Sequence, residues 1–255
     1  MHTRSFLPKG RNDGYAGTFD TSKKKKMKST ILISIIFLII SCKDVQLNKA
    51  EKLYINGEFS EAKKQCENDL VKDSKNIKSL ELLGQIELEE QNYSKAGELL
   101  NKAIKLNPTN HENYLLKGMV HFHQQNFTDA ENYFNESLKY DKSDFRIYFN
   151  LGQVNVQKLE IEKSIENYSK AIKLNPNSGI IYQSRGISYE DIGQMDKAIN
   201  DYSKLISLEP NNCHPYLLRG FVYLDKGDKS KACSDFSKTV ELKCDGSDEV
   251  IQNCK

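Results

Sequence analysis

GIIYQSRGISYEDIGQMDKAINDYSKLISLEPNN, residues 179–212, reads as two helices and a stop. Tyr182, Gly186 and Tyr189 recur at the spacing of one face of a first helix, and Gly193 marks a turn. Ala198, Tyr202 and Leu205 then form the stripe of a second helix. Gly186 and Ala198 are small enough to let the two helices approach closely, and Tyr182 and Tyr202 fill the space that remains. Pro210 ends the second helix, because it has no amide hydrogen to donate and its ring collides with the preceding turn.

The same design runs through the chain. Unit 145–178 carries Tyr148, Gly152, Ser164, Tyr168, Ala171 and Pro176; unit 77–110 carries Leu80, Gly84, Ala96, Leu100, Ala103 and Pro108. One small series (Ala50, Gly84, Gly118, Gly152, Gly186, Gly220) steps by 34 residues throughout. A second small series (Ala62, Ala96, Ala130, Ser164, Ala198, Ala232) and a bulky one (Cys66, Leu100, Phe134, Tyr168, Tyr202, Phe236) keep that step. This pattern resembles the tetratricopeptide repeat, a helix-turn-helix unit of the same period.

The resemblance implies an all-α fold: a right-handed α-solenoid of six 34-residue units, 43–76, 77–110, 111–144, 145–178, 179–212 and 213–246, without insertion. Residues 247–255 are expected to form a short C-terminal capping helix, with Ser247 as N-cap ahead of Asp248 and Glu249. The end units depart from the pattern at Gln46, Asp69 and Cys244, as terminal units with one uncovered face should. Unit 43–76 is expected to be the least well packed.

Upstream lies an address. Lys23–Lys26 and Lys28 precede the apolar run Ile31–Ile40, which is shorter than the roughly 20 residues a spanning helix needs and matches the core of a signal peptide. Ile39-Ile40-Ser41-Cys42 resembles the lipobox of bacterial lipoproteins. That resemblance implies a signal peptide at 27–41, cleavage before Cys42, and acylation of Cys42 as the membrane anchor. Residues 1–26 lack apolar periodicity and read as an extension before a start at Met27.

The formal charge of +2 belongs to the leader: residues 42–255 hold 29 basic and 33 acidic side chains. A mildly acidic domain is a poor partner for nucleic acid. Six cysteines less Cys42 leave five; Cys66 falls in the bulky core series, and Cys213, Cys233, Cys244 and Cys254 crowd the C-terminal end. In an oxidising compartment this suggests one or two disulfides there. Cys233 with Cys254 is the favoured pair, since the final helix folding back onto the last unit would bring them together; spacing alone leaves connectivity open.

There is no C-x-x-C, and His121 and His123, two apart on a helix, point to different faces, so no metal is expected. His121 takes the place of Tyr189 and Tyr223 and reads as core, and His123 as solvent-facing. No G-x-S-x-G, phosphate loop or H-E-x-x-H is present, and neither catalysis nor a cofactor is expected.

Family resemblance instead places the binding surface on a concave groove lined by the first helices. Carried over by position, it comprises Leu115, Met119 and Phe122; Phe149, Gln153 and Val156; Ile187, Glu190 and Asp191; and Leu217, Phe221 and Leu224. The family's carboxylate clamp of Lys, Asn and Arg is absent, since Phe149 and Gln153 stand among its places and only Asn150 matches. The expected function is a lipid-anchored scaffold or adaptor that binds other proteins or peptides in the bacterial cell envelope, with the outer membrane as the expected site. A surface-displayed binding lipoprotein is the alternative, suggested by Lys43-Asp44 after the lipid site. An enzyme or small-ligand carrier would need a closed pocket that an open solenoid does not supply.

Overall fold

A computed structural model describes residues 48–245, 247 and 251–254. The expected extension at 1–26, signal peptide at 27–41 and lipid site at Cys42 lie outside the described residues.

Two compact units divide at Asn68. In the first lie α1 (Lys49–Ile55) and most of α2 (Phe59–Lys72). An Asn48–Glu51 capping box starts α1, and Ala50, Tyr54, Ala62 and Cys66 are buried.

From Asp69 the second unit is all-α among the described residues. Its helices are α3 (Ile77–Glu89), α4 (Tyr93–Leu106), α5 (His111–His123), α6 (Phe127–Tyr140) and α7 (Phe145–Gln157). They continue as α8 (Ile161–Leu174), α9 (Gly179–Asp191), α10 (Met195–Leu208), α11 (His214–Asp225) and α12 (Lys229–Glu241). From α3 onward each odd-numbered helix pairs with the even-numbered helix that follows it, and each pair packs on the next.

Local chemistry fixes the boundaries. Asn76, Asn110 and Asp144 accept backbone N–H bonds in the first turns of α3, α5 and α7, and Asn212 accepts from the His214 amide, so orphan donors at these helix starts are satisfied; Ser178, the equivalent residue before α9, makes no such side-chain bond. Each first helix ends with a left-handed residue: Gln91, Gln125, Leu159, Gly193 and Gly227, again at steps of 34. Beyond it a 2.8–2.9 Å bond returns to the last turn, for example Glu160 N–H to the Asn155 carbonyl. Tyr114, Tyr182 and Tyr216 donate to the carbonyls of Pro108, Pro176 and Pro210 at 2.9–3.3 Å, tying each first helix to the loop before it.

Small and large residues meet as their spacing requires. A Cβ on Gly152 would lie 2.5 Å from the Tyr168 ring, one on Gly186 2.6 Å from Tyr202, and one on Gly220 2.5 Å from Phe236; Gly118 faces Phe134 in the same way. The rings therefore occupy the volume that a side chain on the first helix would take.

Polar groups also enter this packing. Arg185 grips Asp201 with two bonds of 2.8 and 2.7 Å and reaches back to Ser169 at 2.9 Å; Arg219 does the same with Asp235 and Ser203. Lys117 holds the equivalent place in α5, but Tyr133 stands where the aspartate would be. Lys117 is only 7% exposed; its ammonium donates to the Gly97 carbonyl at 3.3 Å, and burial lowers its pKa. Leu83 and Leu151 fill this place in adjacent repeats. Lys117→Leu is therefore expected to stabilise the domain by about 1–2 kcal/mol, read as a higher urea midpoint at unchanged slope, because it removes a buried charge that no carboxylate balances.

The C-terminal end is cross-linked. Cys213 is joined to Cys244 and Cys233 to Cys254, with Cα separations of 6.1 and 5.5 Å. A 3-10 turn, Ile251–Cys254, packs on α12 where the capping helix was expected. Cys66 is fully buried.

Candidate functional site

The face formed by α5, α7, α9 and α11 carries the residues that the family pattern assigns to binding, and the structure sorts them by burial. Leu115 does not belong to that surface. At 1% exposure it is core, packed with Ala130, Phe134, Ile147, Leu151 and Val154. α5 lies against both its own second helix and the next repeat, so this position is enclosed.

Most of the others are half-buried. Met119 bridges two core clusters, and Phe122 meets Phe127 edge-on at 5.7 Å. Phe149 and Val156 pack on the cluster around Tyr168, with Gln153 between them on α7. Phe221 sits edge-on to Phe236 at 5.3 Å, flanked along α11 by Leu217 and Leu224. Glu190 accepts the Tyr202 hydroxyl, so it helps hold the repeat together, and Asp191 is exposed. The open apolar part of the face is on α9: Ile187 is 41% exposed, and Ile180, absent from the sequence-derived set, is 53% exposed. Helical periodicity carries the signal for Ile180, which lies seven residues before Ile187 on the same face.

Polar contacts tie neighbouring repeats along this side. Glu81 accepts from Asn110 and Asn113 at 2.6 and 2.8 Å, and Gln183 meets His214 at 3.3 Å. Arg146 forks between Asp144 and Glu112. Burial works against its charge, but the bonds to Asp144 and pairing with Glu112 win and raise its pKa. His111, Glu112 and Asp144 bring ligand-type atoms within 4.8 Å of one another, and the Arg146 guanidinium pairs with both carboxylates. The arrangement is an inter-repeat ion pair.

The two histidines of α5 diverge. His121 stacks on Tyr133 at 5.0 Å, and His123 stacks on Tyr93 of the preceding repeat at 5.5 Å. Burial lowers both pKa values, with the Lys117 charge adding to the effect at His121. Among the described residues, no helix is long and apolar enough to cross a membrane.

Models of the tetratricopeptide repeat match residues 87–154 and 145–178, and a further TPR repeat model matches 188–227. Together they span more than half of the 255 residues. No curated protein sequence matches the chain. Among solved structures, a crystal structure of MamA is 27% identical with a TM-score of 0.59, covering 63% of this chain and 94% of that one. YrrB, described as a TPR protein with an unusual peptide-binding site, is 16% identical with a TM-score of 0.60, covering 73% and 95%. PilF of Pseudomonas aeruginosa is 16% identical with a TM-score of 0.68, covering 91% and 100%.

Proposed function

Because the chain belongs to the tetratricopeptide repeat family, we propose that it is a non-catalytic scaffold that binds a protein or peptide partner across α5, α7, α9 and α11, tethered to the bacterial envelope by lipid on Cys42. The observation that carries the reading is the apolar row on that face, with Ile180 and Ile187 open to solvent although the helix bearing them has a complete core on its other side. Exposed apolar side chains beside half-buried phenylalanines offer a partner burial that the folded chain leaves unused. YrrB carries a peptide-binding site on the same fold.

Two features support export. The lipobox-like Ile39-Ile40-Ser41-Cys42 follows a basic cluster and a short apolar run. The four C-terminal cysteines are paired, as suits a protein that folds in an oxidising compartment. An outer-membrane lipoprotein facing the periplasm, holding parts of an envelope assembly, fits both.

Isolation of the intact lipoprotein from mildly solubilised cells, beside an Ile180→Glu/Ile187→Glu variant, tests this reading. These exposed positions are preferable to Phe149 or Phe221, whose substitution would also disturb the core. The expected result is a loss of at least tenfold in specific partners at unchanged helical content, together with incorporation of labelled palmitate that Cys42→Ala abolishes. Equal retention by both forms would place binding elsewhere, and palmitate-free wild-type protein would remove the anchor.

A further inference from the structure

The apolar row on α9 and α11 ends in carboxylates that the chain does not neutralise. Asp191 lies one turn beyond Ile187 and Asp225 one turn beyond Phe221, at the same position of successive repeats, and both are exposed. Each stands at a helix C-terminus, where the backbone dipole is already negative and a cation is the favoured neighbour. Neither helix has a basic residue in its last turn. Lys226, next to Asp225, is committed to Asp196 at the start of α10. Other carboxylates of the same repeats do find cations, Asp201 in Arg185 and Asp235 in Arg219, but among the described residues none pairs with Asp191 or Asp225. Partial desolvation beside the apolar row raises the Asp191 pKa, so its charge is held there at a cost.

The two parts of the face together define what completes it. Ile180, Ile187 and Phe221 present apolar surface, and Asp191 and Asp225 present negative charge along one edge of it. Packed helices lie about 10 Å apart, a distance covered by about three residues of extended chain or about seven of helix. We infer that the occupant is a cationic amphipathic segment of another protein. Its apolar side chains lie on α9 and α11, and two Lys or Arg at one of those spacings meet Asp191 and Asp225. This rests on the scaffold reading above and gives its partner a chemistry. An acidic segment or an anionic lipid surface would meet repulsion along that edge.

The test uses the intact lipoprotein, captured on resin and washed free of detergent, and two fluorescent amphipathic peptides, one of leucine and lysine and one of leucine and glutamate. The wild type should bind the leucine–lysine peptide at least tenfold more tightly than the other, and less tightly as salt rises. Asp191→Asn/Asp225→Asn should weaken that binding about tenfold, the worth of two modest charge pairs, without lowering the unfolding temperature. Glu98→Gln/Glu162→Gln makes the same charge change on exposed positions of α4 and α8 and should alter binding less than about twofold. Equal binding by the aspartate variant, or a preference for the leucine–glutamate peptide, overturns the inference. If the aspartate variant keeps in full the envelope proteins that Ile180→Glu/Ile187→Glu loses, the scaffold reading stands and the cationic partner falls. If both variants keep them, both readings fall.

Discussion

Phe134→Ala should remove about 3–5 kcal/mol from the stability of the domain, the cost of emptying a fully buried aromatic site. The ring lies among Leu115, Ala130, Ile147, Leu151 and Val154, contributed by α5, α6 and α7, so its loss opens a cavity within one repeat and at its junction with the next. Repeat arrays are stabilised by nearest-neighbour contacts, and a central defect uncouples the repeats on either side. A broadened, earlier urea transition is expected. Gly118→Ala supplies the complementary test, because its new methyl group would collide with the same ring. Alone it should cost about 1–3 kcal/mol by overpacking. In the Phe134→Ala background that cost should vanish, giving a coupling energy that a pair with independent roles would not show.

Removal of the C-terminal cross-links should have the second largest effect. The bridges close overlapping segments of 31 and 21 residues, so their restrictions of the unfolded chain do not simply add and together are worth about 2–5 kcal/mol. Reductant, or replacement of Cys213, Cys233, Cys244 and Cys254 by serine, should therefore destabilise the last repeat by about 2–5 kcal/mol. Hydrogen exchange should localise the change: amides of α11 and α12 exchange faster on reduction, while those of α5 and α7 change little. Uniform acceleration across the array would mean that the cross-links support the whole domain, and no change would mean that they do not form.

The architecture was legible because the 34-residue period writes the same close contact many times. Gly152 with Tyr168 and Gly186 with Tyr202 are one structural sentence repeated, and a single unit suffices to read it. Two other series at the same step, the helix caps at Asn76, Asn110 and Asp144 and the left-handed residues through Leu159, were equally present in the sequence. The caps are polar and the turn residues are of mixed type, so hydrophobic periodicity passes over both.

The binding face was less legible. Periodicity assigns a position to a helix face but not its burial, which depends on how closely the neighbouring repeat approaches. Leu115 and Ile180 show the consequence in opposite directions, one enclosed by α7 and the other left open on α9. The Arg185–Asp201–Ser169 relay was likewise beyond a single-unit reading, because its third member belongs to the preceding repeat.

The most direct test of the scaffold reading is hydrogen exchange of the domain with and without the partner it retains. Binding across the first helices predicts slowed exchange in α5, α7, α9 and α11, with α6, α8, α10 and α12 unchanged. Slowed exchange confined to the second helices would contradict it and assign the partner to the opposite face of the array.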